Sequence, residues 1–191
     1  YAGLIPWTYF ARSLNQSVLS VADNSNLITK VYFPRLLLPA SATLSGLIDF
    51  GVSFVFLLGM MIWFDVVPNW GIVALPFFLI LALLTALSVS LWLSVINVRY
   101  RDVGQAIPFL IQIWLFASPV AYPVSVVPEK WRLLYSLNPM TGVIEGFRWA
   151  LLGNAMPGTL PMAISIAMVV ALLFGGIMFF RRMEETFADV I

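Results

Sequence analysis

The stretch "GIVALPFFLILALLTALSVSLWLSVI", residues 71–96, decides the fold. It contains no charged side chain, and the uncharged sequence around it runs from Asp65 to Arg99. A helix crossing the hydrocarbon core of a bilayer needs about 20 mostly apolar residues, and this stretch supplies them. An open strand could not satisfy its backbone in lipid, so the expected state is helix. Working outward, Leu44 to Phe64 is a second apolar run, interrupted only by Asp49. Further uncharged stretches lie between Asp102 and Glu129 and between Arg148 and Arg181, and the opening residues to about Ser20 read as the second half of another span. Five spans are therefore expected, at about 1–20, 42–64, 71–96, 103–121 and 159–180, within a single transmembrane domain covering residues 1–191.

Composition agrees. Of 191 residues, 61% are hydrophobic and only 10% charged, whereas soluble domains carry about 25% charged residues. So few charges cannot cover a water-facing surface, and the chain reads as an all-α integral membrane protein. "YAGLIPWTYF" has no charged region and no small-residue cleavage pattern, so it is not read as a signal peptide.

Several functions are excluded. The net charge of +1 gives no reason to expect nucleic acid. There is no cysteine or histidine, which removes disulfides, thiolate metal sites and the commonest general base. A phosphate-binding loop needs Lys after Gly, and neither Lys30 nor Lys130 follows glycine. Glu184 and Glu185 are expected to be solvated at the end of the last span. The chain is expected to be non-catalytic, with no cofactor or metal of its own.

Cations fix the orientation. Lys30 and Arg35, Arg99 and Arg101, and Arg181 and Arg182 fall in the first, third and final connections. The second, "DVVPNW" (65–70), has none, and the long fourth has Lys130, Arg132 and Arg148 balanced by Glu129 and Glu145. The first, third and final segments are assigned to the cytoplasm. Two ladders of small residues, Ala82, Ala86, Ser90, Ser94 and Ala163, Ala167, Ala171, Gly175, recur every fourth position. Such faces let backbones approach; packing within the chain is the expected use, and a dimer face is the other.

The candidate functional residues follow from chemistry. In "KVYFPRLLLP" (30–39), two cations and two prolines are too costly for a span. Pro34 can begin a short helix and Pro39 can end one, leaving Tyr32, Phe33 and Arg35 on a docking surface. Asp49 is either a pathway residue or a polar anchor, with Arg12 a conceivable partner. Arg12 is read as snorkelling near the cytoplasmic end of its span. Gln105, Phe109, Gln112 and Phe116 form a polar and aromatic stripe that could line a path for a hydroxyl-rich chain, with Tyr122 beyond it. The default role of Tyr122, like that of other aromatics near span ends, is the interfacial belt. Asn138-Pro139 makes a helix start and Gly153-Asn154 a helix end. Val143, Phe147, Ala150 and Leu151 share a face between them, and half-inserted or interfacial helices are expected over about 129–153. Glu145 and Arg148, three apart, can pair locally or act at a gate.

Three stretches together resemble the permease subunits of ABC-2 type exporters, above all those that export O-antigen, capsule and teichoic acid polysaccharides. They are "NLITKVYFPRLLLPASATLSGLIDF" (26–50), "NVRYRDVGQAIPFLIQIWLFASPVAYP" (97–123) and "LNPMTGVIEGFRWALLG" (137–153). The resemblance implies an ABC-2 permease fold of six spans per subunit, the first span and an amphipathic helix preceding residue 1. It implies a homodimer in the bacterial cytoplasmic membrane, surrounded by lipid and working with two ATPase subunits that bind ATP and Mg. Lipid-linked polysaccharide would pass between the two permeases. The cytoplasmic coupling segment maps onto residues 24–39, with Lys30, Tyr32, Phe33, Pro34 and Arg35 facing the ATPase. The outer gate helices map onto the region holding Asn138, Pro139, Glu145, Arg148 and Trp149. An exporter of drugs or small lipids shares this architecture. A carrier working without ATP would place several ionisable groups in its spans, where this chain has Asp49 nearly alone.

Overall fold

A computed structural model describes residues 1–24, 33–67, 70–154 and 156–184. Every regular element among them is helical. In chain order these are α1 (Leu4–Asp23), α2 (Leu37–Trp63), α3 (Leu75–Arg99), α4 (Asp102–Phe116), α5 (Glu129–Tyr135), α6 (Pro139–Leu152) and α7 (Thr159–Glu184). A 3₁₀ turn at Trp70–Ala74 leads into α3.

Three helices are long and apolar enough to cross a membrane: α2, α3 with its leading turn, and α7. With 20 residues α1 is long enough, but Arg12, Ser13, Asn15, Gln16 and Ser17 make it polar. The 15 residues of α4 reach only about 22 Å. It stops where Ser118 precedes Pro119, because the residue before proline disfavours the helical region. Pro108 inside α4 removes one further internal hydrogen bond.

Pro39 does not end a helix. It lies in the first turn of α2, where the N–H that proline lacks has no partner to lose. Pro34 opens no separate helix either. The N–H groups of Leu37 and Leu38 donate to the carbonyls of Pro34 and Arg35, so a turn runs straight into α2.

The centre of the bundle is α3. It packs most extensively against α1 and α7 and also touches α2, α4 and α6. Ala82, Ala86, Ser90 and Ser94 are all completely buried, so this ladder serves packing within the chain. Buried hydroxyls nearby are satisfied by their own helix: Thr85 donates to the Leu81 carbonyl, Ser88 to Thr85 and Ser94 to Leu91. The other ladder corrects the expectation. Ala163, Ala167 and Ala171 face outward, and only Gly175 meets a neighbour, the Trp92 ring. What α7 buries instead is Ser165, Val169, Gly176 and Phe180.

Between Pro139 and Leu152, α6 is wedged among α1, α3 and α7 rather than lying on an interface. Its caps match the sequence: the Asn138 side chain accepts from the Met140 N–H at 3.1 Å. Gly153 adopts φ 68°, the left-handed conformation that suits glycine at a helix end. Val143, Phe147, Ala150 and Leu151 are buried together, as expected. Insertion is possible because two α6 glycines leave room. Gly142 meets Ser165 of α7, and Gly146 meets the ring of Phe78 on α3.

The cation-rich segments gather at one end of the bundle. Val21, Val98 and Phe180 form an apolar cluster there, with Leu36 and Leu38 packed against it. The opposite end holds α5, α6 and the start of α7.

A Cβ at Gly146 would overlap the Phe78 ring, whereas one at Gly51 meets nothing within 4 Å. Gly146→Ala is therefore expected to destabilise by about 1–3 kcal/mol, the usual cost of overpacking. Gly51→Ala is expected to be neutral or slightly stabilising, and thermal unfolding in detergent compares the two.

Candidate functional site

Four places carry the candidate residues. At the cation-rich end, Phe33 and Arg35 are half-buried and Pro34 is exposed; Lys30 and Tyr32 lie outside the described residues. Leu36 and Leu38 are covered by the chain's own helix ends. Glu184 is not simply solvated. Its carboxylate accepts from the Arg35 main-chain N–H at 2.9 Å, and its carbonyl accepts from the Arg35 guanidinium.

At mid-depth, Arg12 and Asp49 meet at 3.2 Å. Arg12 falls near the middle of α1, about 16 Å from the helix end at Asp23, so it does not snorkel from a terminus. Asp49 is equally central in α2. Neighbouring Gly46 lets the two helices approach, because Ser13 Oγ and the Tyr9 ring occupy the space a Cβ would take. Tyr9 and Ser17 add hydrogen bonds from α1 to the Thr43 carbonyl and the Thr43 hydroxyl. Asp49 is thus an anchor between helices, and with its side chain 47% exposed it also remains open to whatever borders the bundle.

Along α4, Gln105, Phe109, Gln112 and Phe116 are all exposed. Their spacing of four, three and four puts them on one face, about 16 Å long. The opposite face is buried through Gly104 and Ile107, while Trp114 packs edge-on to Phe10 at 5.2 Å between ring centroids. From Gln105 to Phe116 the open face holds amides that donate and accept hydrogen bonds, aromatic rings and no charge.

The opposite end is tied by two polar centres. Asn138 caps α6, accepts from Trp114 Nε1 at 3.1 Å and donates to Ser118 Oγ at 2.8 Å. It thereby joins the end of α4 to the start of α6. Arg148 pairs with Glu145 at 3.0 Å, with side chains only 12% and 19% exposed. Arg148 also donates to the carbonyls of Val120 and Tyr122, and Gly3 at the start of α1 packs over it. A guanidinium so enclosed needs these acceptors, since an unpaired buried charge is costly. The arrangement is more than the local pair legible in the sequence. Trp149 is half-buried edge-on to Phe78, beside Gly71.

Tyr122 donates to the Phe116 carbonyl at 3.0 Å and shares a hydrogen bond with the Tyr135 hydroxyl. Burial, followed by the interaction with Tyr135, pushes the Tyr122 phenol up to about 12, so it stays neutral and able to donate. The sequence offered no signal for Trp114, Ser118 or Tyr135 as partners, because each contact closes a loop between separate helices. A sequence signal did exist for Arg148: a cation in an apolar helix must find acceptors.

Among the described residues no group of three or more potential metal ligands occurs. A helical bundle with several apolar crossing helices is the architecture of a multi-pass membrane protein. The chain belongs to the ABC-2 type transporter family, whose model matches residues 2–152. It is similar to the O-antigen export system permease protein RfbA of Myxococcus xanthus, with 30% identity over 193 residues, covering 100% of this chain and 74% of the relative. The Klebsiella pneumoniae protein of the same name is 29% identical over 196 residues, covering 99% of this chain and 73% of the relative. The polysialic acid transport protein KpsM of Escherichia coli is 25% identical over 192 residues, covering 96% and 71%.

The Arg12–Asp49 contact is testable by a double-mutant cycle of Arg12→Leu and Asp49→Leu, read by thermal unfolding in lipid nanodiscs. Each single change is expected to destabilise, because it strands the other charge. The double change should recover part of the loss, with an interaction energy of about 0.5–3 kcal/mol, typical of touching residues. Strictly additive losses would mean that the two side chains do not meet in the bilayer.

Proposed function

We propose that this chain is the membrane-spanning subunit of an ATP-driven exporter that moves lipid-linked polysaccharide across the bacterial cytoplasmic membrane. The observation that carries the reading is the open α4 face of Gln105, Phe109, Gln112 and Phe116. It offers hydrogen-bonding amides for sugar hydroxyls and aromatic faces for the apolar C–H sides of sugar rings. Between Gln105 and Phe116 it carries no charge. Relatives named for O-antigen export and polysialic acid transport align with nearly the whole chain, which supports polysaccharide as the cargo class.

Two copies of the permease would set their α4 faces around one path, covering side chains that the single chain leaves open. A separate ATPase subunit, holding ATP and Mg, would dock at the cation-rich, cytoplasmic end through Phe33, Pro34 and the residues just before them. Closure of the ATPase pair on ATP would displace that segment and, through continuous α2, the bundle. The residues around Asn138 and Arg148 would form the external gate. The permease's own part is non-covalent: it positions, shields and releases.

The test is a Phe33→Asp variant in the full-length protein. It should insert at wild-type levels yet export at least about tenfold less polymer, since a charge in a docking surface costs more than 1.4 kcal/mol, a factor of ten. Surface glycan on intact cells is the readout. Normal glycan with this variant, or no ATPase subunit co-purifying with the wild type, would sink the reading.

A further inference from the structure

Residues 149 positions apart join the start of α2 to the end of α7. The Glu184 carboxylate receives the Arg35 main-chain N–H, and the Arg35 guanidinium reaches the Glu184 main-chain carbonyl. Arg35 immediately precedes the α2 cap residue Leu36, and Glu184 is the last residue of α7. Each side chain therefore sits at the end of the other helix. The carboxylate lies at the amino-terminal turn of α2, where the helix dipole places partial positive charge, and the guanidinium lies on the Glu184 carbonyl in the last described turn of α7.

The bonds also differ from an ordinary surface ion pair in what they hold. Each has a side chain at one end and a helix backbone at the other, so a displacement of one backbone is passed to the other helix axis. Beneath them, Leu36 and Leu38 pack with Val21, Val98 and Phe180. Apolar contact is non-directional and tolerates sliding; the two hydrogen bonds fix the register.

We propose that this reciprocal clasp is a second transmission line of the exporter, making Glu184 a positioning residue that passes movement of the coupling segment to α7 as well as to α2. The inference rests on the exporter reading. If the docked segment is pushed, α2 moves because it is continuous with it, and α7 moves because its last turn is bonded to the same backbone. The last span then shifts together with the second described helix, and its outer end carries the Ser165 contact to α6. Energy from the cytoplasmic side thus has a route to the external helices that does not pass through α3.

The experiment uses the full-length permease co-purified with its ATPase subunit and reconstituted in vesicles, with ATP hydrolysis and polymer export measured side by side. Glu184→Ala should keep the ATPase subunit bound and hydrolysing while export per ATP falls at least about fivefold, the lower end of typical coupling between sites. Glu184→Gln, which keeps an acceptor for the Arg35 N–H, should recover part of that loss. The exchanged pair Arg35→Glu/Glu184→Arg should not recover, since it sets a carboxylate on carbonyls and a guanidinium on N–H groups. Wild-type export per ATP in Glu184→Ala, parallel loss of hydrolysis and export, or full rescue by the exchange would each overturn the clasp. Absence of any ATPase subunit from the wild-type preparation would instead overturn the exporter reading and the clasp with it.

Discussion

The close approach of other helices to α3 is the constraint on which the rest of the structure depends. In lipid, burying one more apolar side chain gains little, because the surrounding chains are as apolar as leucine; helices associate through close packing and hydrogen bonds. The small residues Ala82, Ala86, Ser90 and Ser94 give α3 a side with no bulk. Hydroxyls at Thr85, Ser88 and Ser94 are bonded back along the helix, so these three do not hold neighbours away. With α1 and α7 seated against this post, α6 can enter from the end opposite the cations, its glycines admitting Phe78 and Ser165.

Ionisable groups follow from the same solvent. Arg148, Glu145 and the carbonyls of Val120 and Tyr122 form a closed set in which the cation's donors find acceptors. Arg12 and Asp49 pair across two helices that reach mid-depth together. The end opposite the cations is therefore tied by polar bonds between pieces of α1, α4 and α6. The α4 face beneath it is left open and uncharged.

Much of this was legible in the chain. The uncharged stretches marked the apolar crossing helices, Asn138-Pro139 and Gly153 marked the ends of α6, and the grouping of cations matched the end where Val21, Leu36, Val98 and Phe180 meet. Pro39 misled because proline reads as a stop, yet in a first turn it costs nothing. Glu184 misled because a terminal acid reads as solvated, and its partner lies almost the full chain away.

The sequence by itself determined the solvent, the helical state and the chemistry of each face: lipid, because charge is so scarce; helix, because the backbone must satisfy itself there. It could not decide how each helix is rotated about its axis. A soluble helix announces its inner face by polarity, whereas a membrane helix is apolar on both sides. Two ladders of the same spacing thus met opposite fates, one buried in α3 and one exposed on α7. Tertiary structure alone chose between them, and with that choice it set which charges meet, which carbonyls receive them and which face of α4 stays open.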